Sequence, residues 1–376
     1  MSTTPVRGMR IVELDSLRAI VALIVVFHHV FKLFRNEFEA SLPAWIFSMA
    51  DFVQAQNHRA VMAFFVLSGF TIALATKTRP PINSMMLRDY LYRRVTRIVP
   101  LYYFSLAWTA AFGLAYGAGH PDFSVRTLLG NVLFLQTSVS GKGNWFAPYG
   151  MNGPYWSLSY EIFYYLVLPV VLWLLSRIRF GGERCPTMLV SFGIVAMFCG
   201  LAANLLVPSP FGAFTTLWII WLLGYVAFGL RPGVKAFFLV SFPAAVTIAT
   251  EAAFAARGLS SDTLSSVRDG SLIGWLFGVA AIWRGWLNIP LVLPLRRGLN
   301  TMFERIGRGS YALYLLHYPI LLAFIALVEI GNLSALGWIT AGGFFACFIV
   351  FFCPWIEGVS LVIFRRRRST AAHPSA

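Results

Sequence analysis

The sequence predicts an all-α fold: a polytopic transmembrane helix bundle of about ten spans with both termini in the cytoplasm. Three observations predict it. The 376 residues are 58% hydrophobic and only 12% charged, with a mean hydropathy of +0.71, whereas soluble domains carry about 25% charged residues. A water-soluble fold of this length would lack the polar surface to cover itself. Apolar runs recur along the chain at a length that suits a bilayer. Basic residues gather in alternate connecting segments.

The runs fall at about 16–34, 60–76, 98–117, 156–176, 187–207, 211–230, 236–256, 271–288, 310–330 and 335–363, each near the roughly 20 residues that cross a hydrocarbon core. The first has no small-residue cleavage site and reads as a retained helix. The segment Leu128–Leu135 is too short to span and reads as re-entrant or interfacial. Ten spans put both ends on one side, and the charges test that. One side holds Arg7 and Arg10, the basic residues from Lys77 to Arg97, Arg177 to Arg184, Arg231 and Lys235, Arg284 to Arg308, and Arg365 to Arg368. That is 22 of the 30 Lys and Arg. The other side holds seven: Lys32, Arg35, Arg59, Arg126, Lys142, Arg257 and Arg268; Arg18 lies inside the first span. The positive-inside rule then makes both ends cytoplasmic.

The net charge of +15 therefore reports orientation in a bilayer and not nucleic-acid binding. Four cysteines without a CxxC pair give no disulfide framework or zinc site. No internal repeat is visible. The longest outer loop, about 118–155, is rich in Gly, Asn, Pro and aromatic residues, a composition typical of loops that carry function. The expected organisation is one transmembrane domain (core 10–364) with a basic tail at 365–376 and no extracellular hydrolase domain.

Ionisable groups inside spans are expensive, so each is a candidate. Arg18 and His29 stand eleven residues apart in the first run. That spacing is about 20° from whole turns and about 16 Å of rise, so both share one face; His28 is turned away. The alternative is that Arg18 only snorkels and His29 packs. Arg93, Arg94 and Arg97 precede Pro100 at the mouth of the third run. Arg94 and Arg97 share a face, and their guanidinium forks match phosphate geometry, although anchoring alone also accounts for them. Glu161 sits about one turn into the fourth run, after Trp156 and Ser157. It is a candidate to orient a histidine, to bind an acceptor, or to pair with a base. His317, beside Pro319, is either functional or bonded to carbonyls freed by a kink. Walker, GxSxG, HExxH and Rossmann patterns are missing, and Gly69 in Leu67-Ser68-Gly69-Phe70 reads as a helix-packing glycine.

Together these segments resemble the acyltransferase-3 family of membrane acyltransferases. Leu14-Asp15-Ser16-Leu17-Arg18 with His28-His29 is similar to its opening segment, and Phe64-Phe65-Val66-Leu67-Ser68-Gly69-Phe70 to its second helix. Arg93-Arg94-x-x-Arg97-Ile98-x-Pro100 is similar to its basic mouth. Trp156-Ser157-Leu158-Ser159-x-Glu161 and Gly307-Arg308-x-Ser310-Tyr311-x-Leu313-Tyr314-Leu315-x-His317-x-Pro319 complete the set. Ser16 and Ala19 stand where the family commonly has glycine. The resemblance implies an O-acyltransferase of a bacterial plasma (inner) membrane. Its donor would be cytoplasmic acyl-CoA, usually acetyl-CoA, with no metal or prosthetic group. Its acceptor would be a hydroxyl of a surface glycan such as lipopolysaccharide or exopolysaccharide, or of a lipid-linked sugar. Some relatives acylate small molecules such as macrolides. Enzymes of glycan assembly become candidate partners.

The residues then divide into roles. Arg18, Arg93, Arg94 and Arg97 are expected to hold the donor's phosphates, and His29 to act as base or acyl carrier, with Glu161 beside it. Trp156, Ser157 and His317 are expected on the substrate side. The rival reading is a transporter using His29 and Glu161 as a proton relay, against which the chain shows no paired-half symmetry. A structural membrane subunit is the third.

Overall fold

The computed structural model describes residues 12–76, 80–116, 120–137, 145–177, 186–206, 210–228, 230, 232–258, 262–282 and 295–331, then 342, 345, 348 and 351–360. It is helical as predicted. Among the described residues the one β-type contact is an isolated bridge between Gln136 and Phe146. The α-helices with defined bounds among the described residues are α1 (Val12–Leu33), α2 (Arg35–Ser41), α3 (Ala44–Gln54), α4 (Asn57–Thr76), α5 (Ser84–Tyr116), α6 (Val125–Val132), α7 (Trp156–Arg177), α8 (Pro186–Leu206), α9 (Pro210–Ala227), α10 (Val234–Ala255), α11 (Asp262–Ile282), α12 (Leu295–Arg308) and α13 (Ser310–Gly331); residues 351–360 are helical as well.

Seven stretches are long and apolar enough to cross a membrane: Leu14–Leu33, Ala44–Thr76, Ser84–Ala115, Gly153–Arg177, Pro186–Asn204, Pro210–Ala227 and Val234–Ala255. An eighth is the pair Thr301–Arg308 and Ser310–Ala326, bent by 73°. The helix α11, with Asp262, Arg268 and Asp269 in its first turns, is not among them. Most of the run 335–363 lies outside the described residues, as do Lys142, Arg365 to Arg368 and several other charges behind the orientation argument. Leu128–Leu135 overlaps the last turn of the short helix α6 and the turn after it; the helix is capped by Ser124, whose Oγ accepts the Thr127 N–H at 3.2 Å.

Many large apolar side chains, among them Leu114, Leu166, Val170, Val195 and Phe238, are exposed. In water such a surface would drive aggregation; in lipid it is the solvated face. The helix α9 is apolar all round and is the buried axis, with Trp218 and Trp221 among its fully enclosed side chains. Glycine brings α4 against it. A Cβ on Gly69 would collide with the Trp221 carbonyl, and one on Gly224 with the Val66 carbonyl. Lipid supplies no hydrophobic force between helices, so such close backbone contact is the main attraction. Gly69→Leu is therefore expected to cost about 1–3 kcal/mol or more, read as a lower unfolding midpoint of detergent-purified protein. An unchanged midpoint would refute the contact.

Two proline kinks are repaired from α5. Pro169 in α7 leaves the Tyr165 carbonyl without its helical donor, and the Tyr90 hydroxyl donates to it at 3.1 Å. Pro319 in α13 does the same to the Leu315 carbonyl, which receives the Ser105 hydroxyl at 2.8 Å. Neighbouring hydroxyls of this kind are what make proline tolerable in a span. They also tie α7 and α13 to α5. The helices that carry the candidate residues are thereby fixed to one another.

Candidate functional site

Five helices meet at a cavity lined by Arg18 of α1, Ser68 and Thr71 of α4, Arg94 and Arg97 of α5, Ser157, Glu161 and Tyr165 of α7, and Ser310, Tyr311 and Tyr314 of α13, with apolar neighbours such as Phe64. The four arginine candidates do not act as one group. Arg18, Arg94 and Arg97 reach the cavity, while Arg93 turns away and pairs with Asp89. Helical spacing does not by itself give this split, since Arg93 and Arg97 also stand one turn apart on a common face; the Asp89 carboxylate, one turn earlier, engages the Arg93 guanidinium instead.

Arg18 points into the bundle. It donates to the Thr71 hydroxyl and lies 3.7 Å from Asp15 one turn earlier. The Arg94 guanidinium lies 5.9 Å from the ring centroids of both Tyr90 and Tyr165, which favours a cation by the ring quadrupoles. Its Nε is buried with no hydrogen-bond partner. Among the described residues no ion pair holds Arg94 or Arg97. Buried guanidinium donors without partners are costly, and the geometry suits an anion entering between them.

Glu161 faces these arginines. Its Oε1 accepts the Ser68 hydroxyl at 2.7 Å and the Tyr165 hydroxyl, and Trp221 Nε1 donates to Ser68 at 3.3 Å. No hydrogen bond joins it to His29. A second carboxylate, Glu357, is buried near the base of α13 and accepts the Ala312 N–H at 3.1 Å; it fills the role of an acidic cap at a helix N-terminus. Sequence reasoning passed over it, though a carboxylate inside the last apolar run is the signal that found Glu161.

His29 stands at the other end of α1, about 16 Å of helix from Arg18. Its Nδ1 is 2.8 Å from the Val25 carbonyl and 3.3 Å from His317 Nε2. The rings of His28, His317 and Tyr318 surround it at 5.0, 5.1 and 5.1 Å. His28 is held separately, its Nδ1 2.9 Å from Gln54 Oε1. His317 is thus a partner of His29. The cavity and the histidines adjoin through Tyr314, which lines the first and lies 6.2 Å, ring to ring, from His317.

The remaining predicted residues fall on either side. Ser157 lines the cavity, bonded to the Tyr314 hydroxyl at 2.8 Å. Trp156 does not; it stacks on His58 and meets Tyr160 edge-on. Asn131 ties the described segments 120–137 and 145–155 together: its Nδ2 donates to the Ala147 carbonyl at 2.8 Å while its Oδ1 accepts the Tyr149 N–H at 3.0 Å. Ser68, Thr71, Tyr165 and Tyr311 were missed. Ser68 and Tyr311 stand inside the family-like segments, but neither carried a role of its own there.

A family model described as "Acyltransferase domain", that of the acyltransferase-3 family, matches residues 11–357. The protein named "Putative acetyltransferase ORF330" of Acidianus two-tailed virus is 25% identical over 216 residues, 57% of this chain and 54% of that one. The chain thus spans about half the length of this curated relative. No solved structure matches it.

Proposed function

The chain belongs to the acyltransferase-3 family, and from that premise we propose that it moves an acyl group, acetyl in the first instance, from cytoplasmic acyl-CoA to a hydroxyl of a glycan or lipid-linked sugar across the membrane. The supporting observation is the pairing of a cavity lined by three arginines, two of them outside any ion pair among the described residues, with a histidine cluster one side chain beyond it, both served by α1. On this reading the chain is a single ten-span domain with cytoplasmic ends in a bacterial plasma membrane, and the arginines lie on the cytoplasmic side of His29.

Arg94 and Arg97, with Arg18, bind phosphate oxygens of the donor by charge-assisted hydrogen bonds. The roughly 16 Å from Arg18 to His29 matches the reach of an extended pantetheine arm. His29 takes the proton of the acceptor hydroxyl, whose oxygen attacks the thioester carbonyl. The C–S bond breaks, and the proton leaves His29 for the departing thiolate. A two-step route through an acyl-histidine uses the same residues. Glu161, fixed by Ser68 and Tyr165, offsets part of the arginine charge.

Inverted membrane vesicles supplied with acetyl-labelled acetyl-CoA test the reaction. Labelled glycan and free CoA are expected; a protein that moves sugar without consuming the thioester would overturn the proposal. Mass spectrometry of surface glycans from deletion and complemented strains then identifies the acceptor by the acetyl mass lost.

A further inference from the structure

We propose that His317 is the positioning residue that sets the tautomer and ring direction of His29, leaving His29 Nε2 as the reactive nitrogen. The proposal rests on the reading of His29 as the reacting group.

The argument is one of donors and acceptors. His317 Nδ1 lies 2.9 Å from the Leu313 carbonyl. A carbonyl only accepts, so the proton of the neutral ring is on Nδ1 and Nε2 carries a lone pair. That lone pair faces His29 Nδ1 at 3.3 Å. The other neighbour of His29 Nδ1, the Val25 carbonyl at 2.8 Å, also only accepts. With acceptors on both sides, the His29 proton belongs on Nδ1. The opposite tautomer would set lone pair against lone pair at both contacts. Nε2 of His29 is then free to take a proton or an acyl group.

His317 therefore does for His29 what a buried carboxylate does in a catalytic triad: it holds the imidazole by Nδ1 and accepts from it as charge develops. A neutral acceptor suits this depth. A resting carboxylate would need its own partner inside the bundle, whereas His317 is fully buried and satisfied at both nitrogens. The other groups about His29 are His28 and Lys32 on α1 and Tyr318 on α13, and Gln54 of α3 engages His28. Among the described residues no carboxylate is hydrogen-bonded to His29. Ser105, donating to the Leu315 carbonyl freed by Pro319, steadies the turn of α13 from which His317 projects.

Full-length protein carrying His317→Leu or His317→Gln, purified and checked for a single monodisperse peak, tests the assignment alongside His29→Ala. Leucine fills the space without an acceptor; the glutamine amide oxygen restores one at similar reach. His317→Leu is expected to lower kcat by at least about 10-fold and by no more than the roughly 10⁴-fold lost when the orienting carboxylate of a catalytic triad is replaced, with the donor KM unchanged. His317→Gln should recover most of that loss. Wild-type kcat in His317→Leu, or equal impairment in both variants, overturns the proposal. If His317→Leu does not accumulate, His317→Gln decides alone: near-wild-type kcat supports the assignment, and folded protein as inactive as His29→Ala overturns it. An active His29→Ala defeats instead the reading on which the proposal stands.

Discussion

His29→Ala is expected to abolish acyl transfer while the protein still folds and still binds its donor. A positioned general base is worth about 10²- to 10⁴-fold, and the loss is larger if the imidazole carries the acyl group. Folding should survive because His29 is only half-buried and its Nδ1 bonds are to a carbonyl of its own helix and to His317. Hydrogen bonds between transmembrane helices average about 0.6 kcal/mol, too little for one lost contact to unfold the bundle. The measurement is label transfer from acetyl-CoA in membranes, normalised to the amount of protein. Activity within a few-fold of wild type would remove His29 from the chemistry. Rapid-mixing kinetics of wild-type protein separate the two routes: a burst of free CoA ahead of acylated acceptor means an acyl-histidine, and CoA and product released in step mean direct transfer.

The sequence announced the bundle because a span is a local property. Runs such as 156–176 and 187–207 come within a few residues of α7 and α8, since about twenty consecutive apolar residues need no partner to be recognised. The break before α4 was not legible: α3 begins at Ala44, yet the apolar run was placed from residue 60. Polar Gln54, Gln56 and Asn57 interrupt the pattern without ending the helical path. Contacts along one helix were legible in part: Arg94 and Arg97 share the cavity as their spacing predicts, whereas Arg93, expected beside them, pairs with Asp89. Contacts between helices were not. Glu161 was expected beside His29, but Ser68 lies 93 positions away along the chain and His317 lies 288 from His29. No periodicity links residues so far apart. Gly69 is the exception: its lack of a side chain is itself a statement about a neighbour's backbone.

Arg97→Ala and Arg94→Ala are each expected to raise the donor KM about 10- to 100-fold. Hydrogen bonds to charged groups are worth roughly 1.5–3 kcal/mol, and every 1.4 kcal/mol is a tenfold change. Arg93→Ala should matter less, because its guanidinium is paired with Asp89 away from the cavity. Lysine at position 94 or 97 keeps the charge and loses the fork that matches phosphate, so partial recovery is the signature of a phosphate clamp. A direct readout needs no turnover. A ligand at a hundred times its Kd stabilises the folded state by about 2.7 kcal/mol, so saturating CoA should raise the unfolding midpoint of wild-type protein and raise it less in either variant. Arg94 stands beside Arg97 without an ion-pair partner among the described residues, so its removal also relieves repulsion. Apo Arg94→Ala is therefore expected to be no less stable than wild type, a pattern opposite to that of a structural ion pair, whose loss would leave a buried charge. Equal CoA shifts in all proteins would return these arginines to the role of topology anchors. A shift lost in Arg97→Ala but kept in His29→Ala would divide donor binding from chemistry along the length of α1.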